Sequence, residues 1–229
     1  MGELLQLIQQ YSVPAAFWMT IKLTVASAIG SLVIGTLIAV FRVSPVGVLR
    51  AFGTAYVTLI RNTPLTLIVF FLVFGALNIL QINLADPNSP TSIIDNNFRW
   101  GVVGLSVYHA SFVAEALRSG VNTVPQGQAE AARAIGLSFV PSLTQVILPQ
   151  AFRGAIAPLG NTLIALTKNT TVVSTIGVAE LSYQMKNMIE FSPDLLYAIF
   201  VLIALCFVVL TLPTGALFTY LSRRLVVQR

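Results

Sequence analysis

From Leu195 to Ser222 the chain carries no charged side chain. A helix crosses the hydrocarbon core of a bilayer in about 20 apolar residues, so this run is long enough to span. It is not alone. Nineteen uncharged residues separate Lys22 from Arg42, and the apolar run reaches back through Trp18 and Phe17. Only 9% of the 229 residues are charged and 56% are hydrophobic, against about a quarter charged in ordinary globular domains. A soluble protein of this size cannot cover its surface with so few charges. Disorder is excluded by the same apolar content.

The reading is an all-α integral membrane protein with five transmembrane helices, a single domain over 1–229. The spans are near 15–41, 52–80, 98–117, 154–179 and 195–222. Lys22 stands close enough to the outer end of the first span to snorkel. The N-terminus has no basic leader, and its first apolar run is long enough to stay in the membrane, unlike a cleaved signal peptide. Cys206 is the one cysteine, so neither an internal disulfide nor a cysteine metal site is expected.

The net charge is +5, from 13 Lys+Arg and 8 Asp+Glu. In a membrane chain that excess orients the protein, and no nucleic-acid partner is needed to explain it. One side receives Arg42, Arg50, Arg118, Arg133, Arg153, Arg223, Arg224 and Arg229. The other receives Arg99 and Lys186 with Glu3, Asp86, Asp95, Glu180, Glu190 and Asp194. The positive-inside rule therefore puts the N-terminus outside and the C-terminus inside. An odd span count agrees. The segment 81–97 becomes a polar outer loop, with Asp86, Pro87, Pro90 and Asn96 as turn formers. The segment 118–153 becomes an inner helix–turn–helix, its second helix ended by Pro149.

Within that inner segment, Pro125 and Gly136 bracket an Ala-rich stretch, Gln126 to Ile135. Proline suits a helix's first turn and glycine its end. Glu130 and Arg133, three apart, can interact. Small side chains let another surface approach the backbone, so spacing alone fits either a docking helix or one lying on the membrane.

The motif resolves this. Glu130-Ala131-Ala132, three residues, Gly136, nine residues, Val146, one residue, and Leu148-Pro149 resemble the EAA signature of ABC importer permeases. Val146 stands where that signature usually has Ile. Arg61 to Leu65, Phe112 to Arg118 and Leu166 to Ser174 are similar to the polar amino acid branch of the family. The resemblance covers roughly 13–224. It implies a type I ABC importer permease with a cytoplasmic coupling loop. Glu130, Ala131, Ala132, Arg133, Gly136, Leu148 and Pro149 would then form the coupling site for the ATPase. It further implies an ABC ATPase dimer, a second permease subunit (identical or related), an extracytoplasmic solute-binding protein and a prokaryotic cell membrane around them. The chain has no Gly-x-x-x-x-Gly-Lys phosphate loop. No cofactor is expected on this chain; ATP and Mg²⁺ belong to the partner ATPase, and the chain is a transport subunit rather than an enzyme.

Charges inside spans are costly and mark function by default. Arg61, Asn62, Thr63 and Pro64 sit on span two. Pro64 cannot donate to the carbonyl of Ile60, which leaves an acceptor that only protein or a wet cavity tolerates. Arg61 fits a solute pathway, or snorkels to the inner headgroups. On span four Asn161, Lys168, Thr171 and Thr175 fall within about 80° at 100° per residue, with Asn169 beside them. Such a stripe faces a bundle interior or solute path, or forms a hydrogen-bonded seam between subunits. His109 lies mid-span three and reads first as structure. Glu115 and Arg118 read as a helix-end ion pair, and Gly30 and Gly35 as points of close helix contact.

The deep cations Lys168 and Arg61 face only Glu115 and Glu180 near the span ends. That balance favours an acidic or amide amino acid, glutamate foremost, over lysine or arginine. The alternative function is a self-sufficient secondary transporter or channel. It would call for an inverted repeat or a mid-membrane carboxylate, and neither is in the sequence.

Overall fold

A computed structural model describes residues 2–225, with side chains from Leu4 onward. Arg229 and the Glu3 side chain, both used above to orient the chain, lie outside the described residues. Among the described residues there is no strand. The helices are α1 (Gly2–Gln10), α2 (Val13–Val43), α3 (Gly47–Asn62), α4 (Leu65–Phe70), α5 (Ser92–Val121), α6 (Gln126–Ala134), the single turn α7 (Phe139–Pro141), α8 (Leu148–Asn169), α9 (Leu181–Phe191) and α10 (Leu196–Arg224).

By length and composition α2 and the Pro193–Arg224 segment can each cross a bilayer. Span two departs from the expected 52–80 helix. It breaks between Asn62 and Leu65, and its halves Gly47–Asn62 and Leu65–Ile79 meet at 103°. The cause is Pro64, which removes an N–H and pushes Thr63 into an extended conformation (ψ 129°). The carbonyl of Ile60 is not left free as expected, because Thr63 N–H donates to it at 3.2 Å. Beyond α4 the chain continues in wide π-helical turns over Phe71–Ile79.

The outer loop is shorter than the expected 81–97, since α5 already begins at Ser92. Span four is also revised. The α-helix ends at Asn169 and tightens into a 3₁₀ segment, Thr170–Ile176. Pro149 does not end a helix; it stands where the wide π-helical turn Ser142–Ile147 passes directly into α8. Two surface helices, α1 and α9, were outside the sequence expectation. α1 is amphipathic and buries Leu7 against Leu181 and Met188 beside the N-terminal ends of α2 and α10.

α5 is the central post. Ser106, Ala110 and Val113 stand so close to α2 that a Cβ on Gly30 or Gly35 would collide with them. Lipid tails are as apolar as leucine, so helix association in a bilayer relies on this close packing. The expected role of the two glycines holds. Three apolar clusters follow the axis. One surrounds Leu7 and Met188, one Leu23, Val69 and Leu105, and one Ile38, Leu117 and Ala155. By contrast, only 11% of the apolar window of α10 is buried. Most of that helix is left to lipid or another subunit.

Candidate functional site

The inner segment is an arm with little of its surface used. Gln126–Ala134 is helical as expected, with Pro125 just ahead of it and Ala132 its one buried residue. Gly136 adopts φ +86°, the left-handed turn a Cβ would penalise. The turn is closed by Gly136 N–H to Arg133 O at 2.9 Å and Leu137 N–H to Ala132 O at 3.0 Å. Glu130 and Arg133 do not pair; Arg133 Nε donates to Ala129 O instead, at 3.3 Å. Glu130, Ala131, Arg133 and Gly136 are all exposed, as are Ile135 and Val140. Leu148 and Pro149 begin α8, where neighbouring Gln150 reaches Gln128 of the arm at 3.5 Å.

Above the arm, an ion cluster ties three charges together. Glu115 accepts from Arg118 Nη2 at 2.6 Å and from Nε at 3.1 Å, and Arg42 of α2 also donates to it. The expected Glu115–Arg118 pair is present. Arg42 is an addition that no spacing could reveal, because it lies 73 residues away.

The second site lies where two helices lose their α geometry. α3 breaks at Thr63–Pro64, and α8 changes pitch at Asn169–Thr170. Leu65 and Val69 of α4 share one cluster with Val173 and Ile176 of the 3₁₀ segment, so the two irregular stretches are neighbours. At membrane depth such backbone persists only against protein or a wet cavity. A chain of side chains connects them. The Arg61 guanidinium lies 5.1 Å from the centroid of the Phe112 ring. Phe112 is 5.9 Å from the His109 ring, and His109 Nε2 is 3.2 Å from Asn169 Nδ2. His109 is buried, with its Nδ1 unpartnered among the described residues. Arg61 and Asn62 are exposed, Thr63 is half-buried, and Thr63 Oγ1 returns to Leu59 O at 2.9 Å.

The polar stripe does not face this chain's own interior. Asn161, Lys168 and Thr175 are exposed and Thr171 is half-buried. Thr171 and Thr175 bond back to Lys168 O and Val172 O. Lys168 has no carboxylate partner among the described residues. The segment carrying the stripe is latched at its C-terminal end. Asn97 Nδ2 donates to Ile176 O at 2.8 Å, and Lys186 Nζ to Ser174 Oγ at 2.9 Å. The sequence carried Phe112 only inside the stretch similar to the amino acid branch and Lys186 only in the charge balance, and it did not single out Asn97.

Between α8 and α10, Glu180 is fully buried and caps α9. Its oxygens accept from Ser182 N–H at 2.9 Å and Tyr183 N–H at 2.8 Å. Burial pushes its carboxyl up to about 7, against those two bonds and nearby Lys186.

The sequence pattern of the binding-protein-dependent transport system inner membrane component family matches residues 31–227. The chain belongs to that family. The permease is 53% identical to the glutamate transport system permease protein GluC of Corynebacterium glutamicum, over 93% of this chain and 94% of that one. It is 35% identical to the probable glutamine ABC transporter permease protein GlnM of Bacillus subtilis, over 91% of each. A crystal structure of an amino acid ABC transporter with histidines superposes with a TM-score of 0.78 at 28% identity, over 96% and 97% of the two chains. The MetNI methionine transporter shares the fold, with a TM-score of 0.72 at 19% identity over 96% and 98%. The permease is thus an all-helical, type I ABC importer subunit in a membrane, working with a separate ATPase chain and a binding protein. A self-sufficient secondary transporter or channel is set aside.

Proposed function

We propose that the permease imports an acidic or amide amino acid, glutamate foremost, through five spans with the N-terminus outside and the C-terminus inside a prokaryotic cell membrane. Two permease subunits, identical or related, enclose the route, because one bundle leaves its stripe on the surface. The observation that carries this reading is the unpaired, exposed Lys168 beside two helix breaks, with Arg61 reaching the same region through Phe112 and His109. An unpaired charge is expensive in a low-dielectric path, so a solute carboxylate and Lys168 compensate one another. The start of α4 adds to this. The amides of Leu65 and Thr66 open a half-helix whose positive end attracts anions. The 53% identity to a glutamate permease supports the same solute.

In this reading Arg61, Asn62, Thr63, Pro64, Asn161, Lys168, Asn169, Thr171 and Thr175 line the path. Gln126–Ala134 docks in a groove of an ABC ATPase dimer, with Glu130 and Arg133 fixing register and Ala131 and Ala132 allowing close approach. Gly136 turns the chain back toward Leu148 and Pro149. ATP and Mg²⁺ act in the partner.

Lys168→Met keeps length and removes the charge. In proteoliposomes loaded with ATP and supplied with the binding protein, glutamate uptake falls sharply while the complex still assembles. Unchanged glutamate uptake sinks the assignment of Lys168, and a wild-type ATPase stimulated by basic amino acids alone sinks the choice of solute.

A further inference from the structure

We propose that the cleft between α8 and α10, at the end of the bundle that carries α6, binds an anionic phospholipid through Arg223. The cleft measures about 410 Å³. Its polar lining is Asn161, Thr219, Ser222 and Arg223, and Ile164 and Gly215 continue it toward the membrane centre. None of those four side chains makes a hydrogen bond among the described residues. This is unusual in a bundle whose other hydroxyls mostly bond the preceding turn, as Thr211 and Thr214 do on the same helix.

The donors fit an acceptor-only ligand. The guanidinium suits a phosphate, and the hydroxyls of Thr219 and Ser222 below it suit glycerol and ester oxygens, while Asn161, deeper in the cleft, belongs to the solute-path stripe. No carboxylate lines the cleft, so an ammonium-bearing amino acid finds nothing there to match its cation. The depth order is also that of a lipid. α8 and α10 run antiparallel, with Phe218 against Gly160 and Gly215 against Ile164. Arg223 therefore lies at the outlet, the hydroxyls deeper, and the apolar floor deepest. The absent side chain at Gly215 leaves room for an acyl chain. Leu212 and Leu217 are exposed on the same helix, so the cleft opens beside apolar surface. Neighbouring Arg224 is engaged elsewhere, with its guanidinium 4.9 Å from the centroid of the Tyr220 ring. Basic pockets between helices on this side of a membrane are where anionic headgroups collect.

The test uses the permease with its ATPase in nanodiscs of phosphatidylethanolamine and phosphatidylglycerol, with retained lipid counted by native mass spectrometry. The wild-type complex keeps phosphatidylglycerol preferentially. Arg223→Gln lowers that preference about fivefold, without disturbing assembly, because the residue is exposed. Gly215→Leu fills the acyl path and lowers retention of the same lipid with the charge intact. Arg50→Gln removes another exposed arginine from this end and leaves retention unchanged. Equal retention in wild type and Arg223→Gln overturns the proposal, as does an equal loss in Arg50→Gln. Displacement of the lipid by free glutamate, or cross-linking of two copies through Thr219→Cys, assigns the cleft to the solute or to a second subunit and also overturns it.

Discussion

The two connections that interrupt the bundle handle their polar groups in opposite ways. The outer one, which follows α4, is bonded to itself. Asn96 is buried and accepts from the N–H groups of Leu84 and Ala85, at 2.8 and 3.1 Å. Its amide returns to Asn83 and Ser92. Arg99 donates to Leu84 O, and Trp100 Nε1 to Ile82 O at 3.2 Å. The inner connection has Gly136 in a left-handed turn, one buried residue in α6, and Ile135 and Val140 exposed. A loop that satisfies its own groups holds its shape alone. One that leaves apolar side chains and small residues outward is shaped for a partner. We read the first connection as scaffold and propose the second as the joint to the ATPase.

The sharpest way to break this contrast is to ask which side of the membrane each connection occupies. In a Cys206→Ser background, Asn88→Cys should react fully with an impermeant thiol reagent added outside whole cells. Ser138→Cys should react only after the cells are opened. The reverse pattern would invert the orientation inferred from the arginines.

Next in size is the joint itself. Gly136→Val forces a β-branched residue to φ +86°, a strain of about 1–3 kcal/mol, and re-aims the arm. The variant should insert normally, pull down little ATPase and transport nothing. Normal solute-stimulated ATP hydrolysis in it would show that the arm is not the coupling element.

A smaller effect is expected from the scaffold. Asn96→Ala strands two loop donors at a cost of about 1–3 kcal/mol each if they stay dry. The Tm in detergent should fall by several degrees, while ATPase binding is unchanged. Loss of ATPase binding without a drop in Tm would mean that the two connections are coupled.

The smallest effect is a pH dependence. With its folded value near 7, the Glu180 carboxyl is protonated more readily when folded than when unfolded. Its contribution to stability is therefore full below about pH 4.5 and is lost as pH rises through about 7. Glu180→Gln should flatten the dependence of Tm on pH over that window. An unchanged slope would assign the dependence to another group.

Much of this was legible in the residues. The uncharged runs of α2 and α10 could only be helices in a membrane, since a bilayer offers the backbone no other partner. The Gly136 turn was readable from chemistry, because a left-handed residue after a helix is usually glycine. Pro64 announced a break but not its size. A missing N–H says that the helix is interrupted, whereas the 103° follows from the packing of α4 against α5 and the 3₁₀ segment. The stripe on span four was drawn with one helical period, and the pitch change at Asn169 alters its outer half.

What the sequence by itself determined is the set of local commitments: membrane residence, the two long uncharged helices, the family motif and the basic residues set within apolar runs. These depend on composition and on spacings of a few residues, where the chain's geometry is fixed. Only the tertiary structure decided that Arg42 joins Glu115, that His109 meets Asn169, that Arg61 lies over Phe112, and that Lys168 faces outward. The first three link helices far apart in the chain. Which side chains meet across a bundle is set by how small residues such as Gly30 and Gly35 let the backbones approach, and sequence spacing carries no record of it.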